Sequence, residues 1–484
     1  MIRRVTRLRN PGALAIALCP VLFPGGSRLS METGLEHQGN GEPAVTRVLS
    51  VTDAGVLVMD GRLRVSLQGL DLPPRGNSGR GRPLARIRSL ALDRSFRVQS
   101  DGPDPDRPGT LAGVLSPPGA TVPSLNEQLL AEGLCFFRTR TKKVERQAAL
   151  LRASMEARQK GLGVWRDTPR TEGEPPVQRG GVLGLYYKEE RYDYHAQLER
   201  VRDIGADWVL LVLSALVDKV DSNEIELDAK RTVPDRRLRE TIAHAKMLGL
   251  RVALMPIVLI RHPGEDDWRG TLRPTDPGRF WLNYESFLRR YLDIARESGV
   301  ELFSVGSELC SLEKHTETWR RIIQNARGRY GGWLTYSVNW DHYDEPEFWD
   351  LLDQLSMTAY FELTKDKDAG LAELEKGWQK VHAELEAAAR RLGRPIVLTE
   401  LGYASQDGTN TAPWNYYLAP DKLDLEEQAD CFRAFVSVMG DAPFVASVYV
   451  FDFFEQGGPK DTTYALHGKP AWKVVRRFFA GFRR

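Results

Sequence analysis

The sequence predicts two domains, a small α+β domain of short strands followed by an α/β barrel of eight strand–helix units. Three observations carry this. At 484 residues, with 42% hydrophobic and 27% charged content, the chain exceeds one ordinary globular domain. A polar stretch rich in Pro and Gly, RDTPRTEGEPPVQRG at 166–180, lacks hydrophobic periodicity and separates two regions of different rhythm. Beyond it, an apolar run of strand length alternates eight times with a longer amphipathic segment. That alternation is the pattern of a TIM (β/α)8 barrel, whose chemistry lies in the loops that follow the strand ends. The expected boundaries are a leader at 1–44, a small domain at 45–167, a linker at 168–180 and the barrel at 181–484.

In the leader, Arg3, Arg4, Arg7 and Arg9 precede ALAIALCPVLF (13–23), and no acidic residue occurs before Glu32. A basic end and a short apolar core are the signature of an export signal, so a secreted or cell-envelope location is expected. The core is too short to span a bilayer and contains Pro20, so no transmembrane anchor is expected. The formal net charge of +2 makes no general case for a nucleic-acid partner or membrane-surface binding. Past the leader, Cys135, Cys310 and Cys431 are far apart and odd in number. They form neither a disulfide framework nor a CxxC zinc pattern and read as buried thiols, so no metal site and no cofactor are expected.

Residues 45–167 alternate as short strands in TRVLSVTDAGVLVM, GRLRVSLQGLDL, SFRVQSD and GTLAGVLS, with helical patterns at LNEQLLAEGL and VERQAALLRASMEARQ. On LQGLDLPP, GTLAGVLS, SLNEQLLAEGLCFF and ARQKGLGVW the region resembles the staphylococcal-nuclease-like family over nearly its whole length. The resemblance implies an OB-like barrel. Active members carry an Arg five residues before an Asp, a Glu three residues after it, and a second Arg in Gly-Arg-x-Leu-Ala. Here Ser66 precedes Asp71, Pro74 follows it, and Gly109 stands in Pro-Gly-Thr-Leu-Ala. Phosphodiester cleavage needs charge on phosphorus neutralised and a water activated, which these side chains do not supply. The expectation is an inactive module with no nucleic-acid partner, and Asp71 and Asp53 alone make no calcium site.

The eight strands are expected at 181–187, 207–214, 251–260, 300–306, 333–338, 354–360, 395–400 and 445–453. Helical patterns such as RRLRETIAHAKMLG and KGWQKVHAELEAAARRLG lie between them. The fourth strand ends on Ser307 and Glu308, the fifth runs into Asn339 and Trp340, the sixth reaches Tyr360 and the seventh ends on Glu400. A charge behind a buried strand is costly unless solvated, paired or used. For either Glu alone, a helix cap or an Arg pair is a serious rival. Two at strand ends across one barrel mouth suit glycoside hydrolysis with retention, where a nucleophile and a proton donor stand roughly 5 Å apart. The ionised nucleophile then raises its neighbour's pKa. Pyranose faces stack on rings, which makes Trp268, Trp340, Tyr360 and Trp414 candidate sugar platforms. Tyr360 is also a candidate hydrogen-bond partner of Glu400, and Arg269 and Asn339 are candidates for sugar hydroxyls. Trp281, Trp319 and Trp349 lie in helical patterns and read as packing residues.

The chain from 181 to 484 resembles glycoside hydrolase family 113, in the clan of retaining TIM-barrel glycosidases. The motifs are WRGTLRP (268–274), FSVGSELCSLE (303–313), FWDLLDQLSMTAYFEL (348–363), PIVLTELGYAS (395–405), APWNYY (412–417) and HGKPAWKVVRRFF (467–479), together with the segment 319–343. The resemblance implies Glu308 as acid/base, Glu400 as nucleophile, and a polysaccharide or oligosaccharide substrate of the β-1,4-mannan type. Two departures bear on the sugar. Many clan members have Asn before the acid/base, where this chain has Ser307, and the eighth strand often ends on Trp, where this chain has Phe451 and Phe453. Other readings are a silenced carbohydrate-binding scaffold and a nucleic-acid-binding protein acting through the first domain.

Overall fold

Period-two alternation in the first region places one face of each short strand inward, and the strands close on that face. The computed structural model describes residues 45–73, 81–104, 107–119, 123–138, 144–166, 173–186 and 192–482. The leader at 1–44, Pro74, Tyr187 and the first part of the expected linker lie outside the described residues. Strands Val45–Val51, Leu57–Met59, Arg64–Leu67, Leu111–Ser116 and Ser95–Pro103 form a closed barrel in that order. Arg64–Leu67 and Leu111–Ser116 pair in parallel, and the other neighbours are antiparallel. Val48, Leu57, Met59, Val65 and Leu115 fill the interior. Helix Leu125–Ala131 opens on a capping box in which Ser124 and Glu127 satisfy each other's backbone amides. Buried Asn126 ties it to the barrel through the Leu115 amide and the Gln68 and Gly113 carbonyls. Sequence reading missed helix Gly81–Ala91, whose inward positions Leu84, Ile87 and Ala91 are diluted by arginines.

The second region is a closed barrel of eight parallel strands. They are β1 (Arg179–Gly184), β2 (Trp208–Val217), β3 (Arg251–Ile260), β4 (Leu302–Ser307), β5 (Trp333–Val338), β6 (Leu355–Thr358), β7 (Ile396–Leu401) and β8 (Val445–Val450). β1 starts two residues before the expected boundary because its first residues already pair with β8. Val182, Trp208, Leu210, Met255, Leu302, Trp333, Val397 and Tyr449 fill the barrel's interior, and a larger apolar layer packs the outer helices on the strands. Among the described residues no helix is long and apolar enough to cross a membrane.

The two barrels belong to one compact unit. The Phe137 amide donates to the Gly328 carbonyl at 3.1 Å. Arg138 reaches buried Glu285 at 3.0 Å, where Arg321 and Asn325 also bond. Asp71 is paired with Arg329 at 2.6 Å, and the same guanidinium holds Asp293 at 2.7 Å. Arg296 and Arg329 lie 4.9 and 4.7 Å from the Phe136 ring centroid, close enough for cation–π attraction. A polar linker leads one to expect barrels that fold separately, but composition reports chain flexibility and not the surfaces the linker joins. The contacts fall on helices Pro277–Glu297 and Thr316–Arg327 and on the segment entering β5. That segment lies at the strands' amino end, opposite the loops that carry Glu308 and Glu400.

Candidate active site

β4 ends at Ser307, and the next residue turns the chain. Glu308 has φ of 51°, a left-handed conformation that is strained for a residue with a Cβ. Its amide donates to the Ser337 carbonyl at 2.8 Å, which ties the turn to β5. The carboxyl is 5% exposed and is held by Arg269, which donates to Oε2. Glu400 lies near the end of β7, 6% exposed, and accepts a hydrogen bond on Oε2 from the Tyr360 hydroxyl at 2.8 Å. The Ala359 amide donates to the Glu400 carbonyl at 2.8 Å, so the backbone beyond β6 positions both partners of that bond. Tyr360, Phe451 and Tyr464 meet edge to face, with Trp340 against the same cluster.

Two buried carboxyls and one guanidinium set the electrostatics. Glu400 is pushed up to about 7, first by burial and then by the charge of Glu308, while Arg269 and the Tyr360 hydrogen bond pull it down. Burial works against the charge of Arg269, but Glu308 and Glu400 lift it above its ordinary value. A third carboxyl follows β8: Asp452 is pushed up to about 7 by burial and by Glu455, and its Oδ1 has no hydrogen-bond partner among the described residues.

Glu308, Glu400, Arg269 and Tyr360 thus come together as one cluster, with Trp340 beside it. Arg269, a candidate for sugar hydroxyls, is paired with the Glu308 carboxylate. Asn339 donates to Asp341 at 2.6 Å, so its amide is engaged within its own loop. Ser307 is buried, and its hydroxyl has no partner among the described residues. Trp268 and Trp414 are 39% and 38% exposed, and no described contact joins them to the carboxylates. Trp281, Trp319 and Trp349 are buried, as their helical patterns predicted. Of the two Phe residues substituting for a clan Trp, Phe451 reaches the cluster and Phe453 is buried in the outer core. Sequence reasoning missed Tyr464 and Asp452. Asp452 fell inside the strand expected at 445–453, and only the end of β8 at Val450 places it just past a strand. Tyr464 sits in a loop, held by its hydroxyl on the Pro413 carbonyl at 2.5 Å.

The model of Glycoside Hydrolase Family 113 matches residues 182–469, more than half of the chain. The chain belongs to Glycoside Hydrolase Family 113. It is by that membership a retaining β-glycosidase. Among solved structures, a family 113 β-1,4-mannanase in a complex is 25% identical with a TM-score of 0.57, covering 63% of this chain and 100% of its own. The family 113 β-mannanase AaManA from Alicyclobacillus acidocaldarius, in complex with ManMIm, is also 25% identical with a TM-score of 0.57, covering 64% of this chain and 98% of its own. No curated protein matches the chain.

Proposed function

We propose that this family 113 enzyme cleaves a β-1,4-mannan-like polysaccharide internally by double displacement, with Glu308 as acid/base and Glu400 as nucleophile. The observation that carries the reading is the convergence of two buried glutamates from β4 and β7 on Arg269 and Tyr360. Similarity to solved β-1,4-mannanases at 25% identity supports the sugar class. In the first step Glu400 attacks the anomeric carbon while Glu308 gives its proton to the departing oxygen. Glu308 then takes a proton from water, which attacks the same carbon and releases Glu400. The Tyr360 hydroxyl steadies the Glu400 carboxylate.

One observation favours a second reading in which the roles are exchanged. A carboxylate paired with Arg269 is a ready nucleophile, and a carboxyl pushed up to about 7 is a ready acid. The family resemblance favours the first assignment, and trapping with azide separates the two. The substrate is tested by incubating the full chain with mannans, glucans, xylans and chitin-type polymers and following release of internal fragments. Cleavage of mannan first supports the proposal, and cleavage confined to the other polymers removes the mannan assignment. An exported location, proposed from the leader's composition, suits a polymeric substrate. The small barrel is proposed as a silent nuclease-like module, since Asp71 is engaged by Arg329 and Ser66 donates to the Leu111 carbonyl.

A further inference from the structure

Beside the foot of the catalytic turn, the fold assembles three metal-ligating side chains that sequence spacing separates. Cys310 and Glu313 open and close a single helical turn after Glu308, and His342 comes from the loop after β5. One donor atom of each lies within 4.8 Å of the others. Glu313 is 1% exposed. Its Oε1 accepts from the Tyr336 hydroxyl at 2.7 Å, and that hydroxyl accepts from the Leu309 amide at 2.9 Å. Its Oε2 has no hydrogen-bond partner among the described residues, and neither has His342 Nδ1. These two atoms face each other at 3.5 Å.

That separation is long for a hydrogen bond between nitrogen and oxygen. It is close to the roughly 3.3 Å edge of a tetrahedron whose centre lies about 2.0–2.1 Å from each ligand, as in zinc sites. The donor set points the same way. A thiolate, an imidazole and one carboxylate suit zinc-like cations, whereas calcium takes six or more oxygens. Tyr336 supplies the outer hydrogen bond that orients the carboxylate. Cys310 and His342 are only part-buried, which leaves the cluster reachable from solvent.

We propose that Cys310, Glu313 and His342 form a binding site for a zinc-like divalent cation next to the turn that carries Glu308. On binding, the Cys310 thiol loses its proton to solvent and sulfur, nitrogen and oxygen each give an electron pair to the ion, with no change of oxidation state. The Cys310 thiol donates to the Glu308 carbonyl oxygen at 3.7 Å in the metal-free chain, and gives up that bond when it is deprotonated.

The test titrates the full chain, stripped with a chelator, with Zn2+ in competition with a chromogenic chelator. Co2+ is then used as a spectroscopic replacement. The site predicts one Zn2+ per chain and a thiolate-to-cobalt charge-transfer band. Cys310→Ser should abolish the band, and Cys310→Ser and His342→Ala should each weaken binding at least about tenfold. Both changes fall on part-buried positions and keep or reduce volume, and unchanged urea midpoints verify that the variants fold. Absence of stoichiometric Zn2+, a cobalt spectrum without the thiolate band, or wild-type affinity in both variants would overturn the proposal.

Discussion

Replacing Glu400 with Gln should stabilise the protein at alkaline pH and not at acid pH. In the folded chain the carboxyl is pushed from its ordinary 4.5 up to about 7, by burial and by Glu308. The folded state therefore binds the proton more tightly than the unfolded chain. The associated stability is full below the unfolded value and is lost as pH rises through about 7. At roughly 1.4 kcal/mol per pH unit, the gap is worth about 3 kcal/mol. In Glu400→Gln the introduced amide can still accept from Tyr360 through its oxygen and donate towards Glu308 through its nitrogen, while the charge is gone. Urea unfolding of wild type and Glu400→Gln at pH 5 and pH 8 reads the difference directly. The variant should gain up to about 3 kcal/mol on wild type at pH 8, and much less at pH 5. A difference that is the same at both pH values would refute the claim that Glu400 is held against its own charge.

Tyr360→Phe removes the hydrogen bond that pulls Glu400 down, so the pH–rate profile should shift upward for the Glu400 limb and kcat should fall about tenfold or more. A profile that superimposes on wild type would show that the bond has no part in tuning the pair. Arg138→Ala removes a charged partner from buried Glu285 and should cost about 1–3 kcal/mol in urea unfolding. Residues 173–484 expressed alone should be less stable still, and a midpoint equal to the full chain would mean the interface contributes nothing. The full chain with calcium should leave DNA and RNA intact, and Asp71→Ala should lower stability through Arg329. Calcium-dependent nicking that disappears in Asp71→Ala would revive the nuclease reading.

The barrel was legible because each strand is a short apolar run between amphipathic helices. β3 and β5 came out residue for residue, and the other strands within a few residues. Glu308 and Glu400 were legible for the same reason, as charges at the ends of runs that must be buried. What escaped were pairings across space. Nothing local in WRGTLRP says that its Arg folds onto Glu308, and nothing near Asp71 announces Arg329. The Cys310, Glu313 and His342 cluster stayed hidden because its members come from two loops brought together by neighbouring strands. Asp452 escaped because the apolar run through Phe453 reads as one strand, whereas β8 ends at Val450.

The division of roles between the two glutamates is tested most directly by azide trapping with an activated aryl glycoside. Glu308→Ala should still form the covalent intermediate, because the leaving group needs no proton, and azide should convert that intermediate to a β-glycosyl azide of retained configuration. Glu400→Ala lacks the nucleophile, so it should fail on both activated and natural substrates and give at most the inverted α-azide. Retained azide from Glu400→Ala with inverted azide from Glu308→Ala would contradict the assignment and establish the exchanged roles to which the Arg269–Glu308 pair points. Polysaccharide cleavage at wild-type rate in either variant would contradict the two-glutamate mechanism itself.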